Sequence, residues 1–417
     1  MVFTRSRISV FYGWIIVVAG IVITGAGIDI YSMTNSAFII PVCQELELSR
    51  GAFTFHRTLI TIVSALSMSV FGALIRKYGV KRLMLISSIG LFLVMLGYSC
   101  AGALWHFYLC AIGHGAFTNG VGFLLVGTLV NDWFDDKKGL ATGIAYCGTG
   151  IGGALALPLA TELITRVGWR MTYRILGIAG ILIMLPVILF LIRNTPEEMG
   201  LTPYHDPGSE PKNGKTEQDD FSGIILRDAV RKPVFWFIAI AFLGTSICAC
   251  GPNTHTVPYL QDIGYTAQHA ASIMSFCMIC LSGGKILLGM FFDHLGTKAG
   301  SLFVGICCVI APILAIFSGS PVLAYSFALI LGFATSGYSV PVSTLVRKHF
   351  GALDFPVIFS VFTGITTVGG ILSIPVMGWI FDRFGSYYPA WIFLAVIGAV
   401  TLAAFILSET DRPEYRA

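Results

Sequence analysis

Charged side chains are scarce in this chain: Asp, Glu, Lys and Arg make up 12% of its 417 residues, about half the share found in soluble domains. Also missing is any G-x-x-x-x-G-K-[ST] phosphate loop, since GGK at 283–285 is followed by Ile286; ATP therefore has no engine here. Nothing resembles a catalytic triad, a metal cluster or a dinucleotide fingerprint, and the polar segments are too short to build a catalytic domain. No enzyme, cofactor, metal or nucleic-acid partner is expected. Ten cysteines are present, but the one CxxC pair, Cys277 and Cys280, falls in the middle of an apolar run, where cysteine reads as a small packing residue.

What fills the chain instead is apolar. Hydrophobic residues reach 55% and mean hydropathy is +0.81, the signature of a multi-pass membrane protein. Twelve spans are predicted, at 11–38, 53–75, 82–103, 105–131, 138–165, 171–193, 233–259, 268–291, 299–318, 321–346, 355–381 and 388–407. Placing the N-terminus in the cytoplasm puts nineteen of the 26 Lys and Arg inside, which orients both termini inward. Six lie outside or near that edge: Arg50, Arg57, Arg166, Arg170, Arg174 and Arg383. The cation left over is Lys285. MVFTRSRISVFYGW is expected to open an uncleaved first helix, because its apolar segment is too long for a signal peptide and no small-residue cleavage site follows.

A repeat runs through the sequence at a constant offset of 217 positions. PVCQEL at 41–46 reappears as PYLQDI at 258–263, and the same shift carries Gly72 onto Gly289, Gly79 onto Gly296, Gly115 onto Gly332, Gly120 onto Gly337, Gly152 onto Gly369, Gly153 onto Gly370, Pro158 onto Pro375 and Gly168 onto Gly385. This predicts two parallel six-helix bundles, 1–193 and 233–417, joined by a Pro-, Gly- and charge-rich cytoplasmic linker at 194–232. Such an arrangement places a substrate between the halves. The glycines mean close helix packing first, and small-residue faces also let two halves rock against each other.

GALIRKYGVKR at 72–82 and GMFFDHLGTK at 289–298 occupy the same place in the two copies. They resemble the cytoplasmic loop motif of the major facilitator superfamily, G-x-x-x-D-R/K-x-G-x-R/K. The conformational loop residues are then Gly72, Arg76 and Gly79 in the first copy and Gly289, Asp293 and Gly296 in the second, with Arg76 standing where the family commonly has Asp. FYGW at 11–14, NDWFDDKKGLATGIAYCGTGIGG at 131–153, GWRMTYRILG at 168–177, HTVPYLQDIG at 255–264 and GWIFDRFGSYYPAW at 378–391 together are similar to the monocarboxylate transporter and oxalate/formate antiporter branch. The resemblance implies an all-α membrane fold of twelve helices. It also implies a substrate-binding cation four residues before Gly289, which is Lys285, a lysine in place of the usual arginine. Tyr31, Phe123 and Tyr338 would be cavity walls.

A lysine near a helix centre costs about 2.5 to 3.5 kcal/mol to insert, so something anionic should visit Lys285; the alternative is that it snorkels to the cytoplasmic surface. Asp29 in the first helix is a candidate for proton coupling, as is His114, which with Asn119 could line the cavity. His56 and Arg57 are expected at the outer rim of the second helix. The reading is a secondary transporter of small organic anions, working by proton-coupled monocarboxylate symport, with substrate, protons and lipid as its partners. It is expected to act as a monomer in a prokaryotic plasma membrane. Oxalate/formate-type exchange is the alternative, favoured less because FSVFTGITTVGG at 359–370 lacks the second lysine of the oxalate exchangers. A membrane anion sensor ranks below both.

Overall fold

The computed structural model describes residues 11–134, 138–204, 223–337, 341–351 and 353–410. Every long apolar run has become helix, as it must where lipid offers backbone N–H and C=O groups no other partner. The chain order is α1 (Tyr12–Glu45), α2 (Arg50–Tyr78), α3 (Val80–Ser99), α4 (Leu104–Trp133), α5 (138–167), α6 (169–191), α7 (Pro233–Asp262), α8 (267–295), α9 (297–316), α10 (Pro321–Ser336, followed by the short helix Pro341–Phe350), α11 (Phe355–Phe384) and α12 (Tyr388–Thr410). Side-chain caps fix three of the starts: the hydroxyls of Ser49, Thr266 and Ser320 accept from Ala52, His269 and Leu323 N–H at 3.2, 3.2 and 3.4 Å. The first rod is broken midway, where Gly25–Asp29 winds as a π-helix, a distortion often found at functional sites.

The sequence repeat has a conformational counterpart. At three joints a single glycine reverses the chain between consecutive rods: Gly79 between α2 and α3, Gly168 between α5 and α6, and Gly296 between α8 and α9, with φ of 75°, 77° and 80° and ψ of 161°, 162° and 170°. Gly79 and Gly296 are offset partners. This corner of backbone space is essentially reserved for glycine and costs other residues about 1 to 3 kcal/mol. Gly296→Ala is therefore expected to lower the apparent Tm of the purified protein, although a Cβ there meets no atom within 4 Å. Gly283→Ala, equally open but helical, should leave it nearly unchanged; equal Tm values for the two variants would refute the backbone argument.

Buried apolar side chains form two clusters. One is drawn from residues 16–192; the other comes from residues 229–405, with Ala37 and Leu157 added. In the first, Phe38, Tyr173 and Tyr98 stack in sequence at 3.9 and 5.3 Å. In the second, Tyr259 and Phe327 pack edge-on against Trp391 at 5.1 and 5.4 Å. Around the girth, Leu155, Phe190 and Val322 lie exposed, a surface that suits acyl chains and not water. At the end assigned to the cytoplasm, the Asn194 side chain accepts the Lys81 N–H at 2.9 Å and so caps α3, while Lys348 pairs with Glu409. At the opposite end Glu45 ties the close of α1 to the start of α6, accepting from Trp169 Nε1 at 2.6 Å and pairing with Arg170.

Candidate functional site

A cavity of about 300 Å³ lies between the two halves of the chain. The first half contributes Ser32, Asn35, Arg57 and Thr61 from α1 and α2, and the second contributes Asn253 and Thr366, among others, from α7, α8, α10 and α11. Arg57 is the charged side chain of this lining among the described residues, and none of the described Asp or Glu side chains shares the wall with it. Its Nη1 donates to the Ser32 carbonyl at 2.9 Å, which steers the guanidinium across from α2 toward the broken part of α1. Beside it, the buried His56 ring bridges the Phe53 carbonyl at 2.5 Å and the Asn35 side chain at 3.3 Å. Asn35 in turn donates to the Tyr31 carbonyl at 3.1 Å. A cation held in such a place, with a neutral carbonyl as its partner among the described residues, is an electrostatic demand for an anion.

Arg57 and His56 thus depart from the expected outer rim. Ser49 caps α2, so the helix begins at Arg50 rather than at 53, and Arg57 sits about two turns, or about 10 Å, inward of its start. The missed signal was the serine: counted as an N-cap, it would have moved Arg57 from the rim into the wall.

Above the cavity, on the side assigned to the exterior, the two halves are latched. Arg50 grips Asp262 with both terminal nitrogens, at 2.6 and 2.9 Å, and its guanidinium carbon lies 3.8 Å from the centre of the Phe381 ring. The Asp382 carboxylate, at the close of α11, accepts from the backbone N–H of Arg50 at 2.9 Å and of Gly51 at 2.7 Å. It therefore neutralises the positive end of α2 from the opposite half. Backbones meet beneath it: a Cβ added to Gly378 would fall 2.7 Å from Gly51 Cα. Slightly deeper, Thr58 donates to the Ile371 carbonyl at 3.2 Å.

The other residues singled out from the sequence are distributed as follows. Lys285 lies half-buried on α8, one turn beyond the cavity-lining Leu281 and on the same helix face, outside the lining itself. Tyr31 is buried in the first cluster. His114 is buried beside the Tyr98 ring, 6.3 Å between centroids. Asn119 donates to the Ser64 carbonyl at 2.6 Å and the Ser67 hydroxyl at 2.9 Å, clamping α4 to α2. Phe123 opens the second part of α4 and packs edge-on against Tyr146 at 4.6 Å, largely exposed. None of these four lines the cavity. Asp29 belongs to the π-helical segment, Gly72 and Arg76 to the close of α2, and Gly289 and Asp293 to α8; the side chains of Asp29, Arg76 and Asp293 lie outside the described residues, as does Tyr338. Among the described residues no group of three or more His, Cys, Asp or Glu could hold a metal.

Against known proteins, the sequence pattern of the Major Facilitator Superfamily matches residues 21–352. The chain is 27% identical over 299 residues to monocarboxylate transporter 12 of Xenopus laevis, covering 66% of this chain and 63% of that protein, and so spans less than two thirds of that relative's length. It is 25% identical over 388 residues to the oxalate:formate antiporter of Oxalobacter formigenes, covering 89% of this chain and 86% of that protein. Among solved structures it superposes on the nucleoside transporter NupG with a TM-score of 0.72 at 14% identity, over 97% of this chain and all of that one. The fold likeness and a family match extending over most of the sequence lead to one conclusion: this chain belongs to the Major Facilitator Superfamily, with the helical fold of a multi-pass membrane protein.

Proposed function

We propose that this protein is a transporter of small organic anions, moving a monocarboxylate together with a proton by alternating access across a plasma membrane. The observation that carries the reading is the cavity between the halves, with an arginine in its wall, no carboxylate beside it among the described side chains and a latched seam on its outer side. The names of the monocarboxylate transporter and oxalate:formate antiporter relatives support an organic anion as cargo. Lys285, one turn beyond the cavity, is positioned to receive the carboxylate on its way inward. Asp29, in the π-helical turn of α1, is the candidate that binds the coupled proton, with His114 a second.

Uptake of labelled lactate, acetate, pyruvate and oxalate into proteoliposomes, with and without an inward proton gradient, tests this reading. The expected result is gradient-driven accumulation of a monocarboxylate, reduced roughly tenfold or more in Lys285→Ala, as loss of one charge-assisted contact implies. Uptake that requires internal anion and ignores the proton gradient would assign the protein to exchange. Undiminished uptake by Lys285→Ala would remove the lysine from the pathway.

A further inference from the structure

Arg57 has no role assigned by sequence motif or by the loop resemblance, and the chemistry of the wall around it says more than that an anion is wanted. Five of the cavity's hydroxyls have already spent their protons, while Ser36, on the α1 side, keeps a buried hydroxyl with no hydrogen-bond partner. Thr61 donates to the Arg57 carbonyl at 3.1 Å, Thr254 to Cys250 O at 3.2 Å, Thr366 and Thr367 to Thr363 O at 2.8 and 2.9 Å, and Ser246 to Thr366 O at 2.5 Å. A hydroxyl has one proton to give, so each of these turns only acceptor lone pairs toward a ligand. Asn253 gives one of its two amide N–H groups to the Thr335 hydroxyl at 3.2 Å and holds a buried Oδ1 with no hydrogen-bond partner. The wall is thus bipolar: a guanidinium fork on the α2 side, and mostly acceptors on the α7 and α11 side.

An anion made only of acceptor oxygens, such as oxalate, satisfies the fork and meets acceptors at its other end. A carboxylate whose chain carries hydroxyl groups satisfies both, because each O–H supplies the donor that the opposite wall lacks. Size points the same way: about 300 Å³ corresponds to roughly ten waters at about 30 Å³ each, more room than a three-carbon acid fills.

We infer that Arg57 is the carboxylate receptor of this cavity, and that the acceptor-rich wall opposite selects a hydroxylated monocarboxylate longer than lactate. The inference rests on the organic-anion reading above and narrows its substrate class. Arginine suits the task because its planar fork takes both carboxylate oxygens at once, which lysine cannot do.

Binding to the purified full-length protein, followed by thermal shift and by counterflow in proteoliposomes, tests it with gluconate, hexanoate, lactate, propionate and oxalate as probes. Gluconate is expected to bind about tenfold or more tighter than hexanoate, which has the same chain length and no hydroxyls beyond the carboxylate, and tighter than oxalate. Arg57→Met should abolish saturable gluconate binding, and Arg57→Lys should weaken it about tenfold while its unligated Tm stays near that of the wild type. Equal binding of gluconate and hexanoate, or unchanged binding in Arg57→Met, overturns the inference and leaves organic-anion transport standing. If lactate, propionate and every other carboxylate fail to bind or exchange, the anion reading itself falls and takes this inference with it.

Discussion

Gly378→Leu is expected to hold the outer seam apart and to reduce transport at least tenfold without unfolding the protein. At this point the backbones of α11 and α2 touch: an added Cβ would lie 2.7 Å from Gly51 Cα and 3.0 Å from Gly51 N. Those are main-chain atoms, which cannot swing aside as a side chain would, so relief requires separating the helices. The wild-type protein supplies its own reporter in Cys250, whose thiol lies on the cavity wall. With the other cysteines replaced, a membrane-impermeant maleimide added from outside should label Cys250 in Gly378→Leu much faster than in the parent. Gly364→Leu, on the same helix where a Cβ meets nothing within 4 Å, provides the control. Labelling as slow as in the parent would show that the Gly51–Gly378 contact does not govern closure.

The second large effect concerns Arg50. Its two hydrogen bonds to Asp262 form a bidentate pair in which the side chains keep 14% and 30% of their exposure, so solvent screens it less than an open surface pair. Charge-assisted contacts of this kind contribute about 1.5 to 3 kcal/mol, enough to shift a two-state equilibrium by roughly 10- to 100-fold. Arg50→Ala and Asp262→Ala should each accelerate external labelling of Cys250, and the double variant should do little more than either single one. That non-additivity isolates the pair from the rest of the seam. Strictly additive effects would mean that the two side chains act independently. Asp382→Asn should also accelerate labelling, since the amide keeps one of the two acceptor oxygens, turns an N–H group toward a backbone donor in place of the other, and loses the interaction of a full charge with the start of α2, worth about 0.3 to 1 kcal/mol.

Much of the architecture can be read from apolar length and from glycine. The repeat is visible as coincident glycines, and its meaning emerges at Gly79 and Gly296, where both copies need the same positive φ. The positions of helix ends were harder to read. Apolarity alone started the second span at 53, because Arg50 and Gly51 contribute nothing hydrophobic, and only the capping serine reveals the earlier start. That three-residue difference decided how Arg57 was interpreted. The latch was illegible for a different reason: Arg50 is 212 positions from Asp262 and 332 from Asp382, and no local pattern announces that they meet. Tyr31 shows the limit of resemblance, for an aromatic residue in a span can equally serve the packing within one half, as it does here, and Asn119, read from its small-residue surroundings, instead turns its amide to α2.

One consequence of the single-residue joints concerns motion. With only Gly79 between α2 and α3, Gly168 between α5 and α6 and Gly296 between α8 and α9, neighbouring rods have no slack in which to slide past one another. The end of one rod and the start of the next must move together, so a rod that tilts takes the near end of its neighbour with it. Parting Gly51 from Gly378 at the outer rim then tilts α2 and carries the start of α3 along through Gly79. For the alternating access proposed above, such joints couple the two faces mechanically, so that opening one gate bears on the other without a separate sensor.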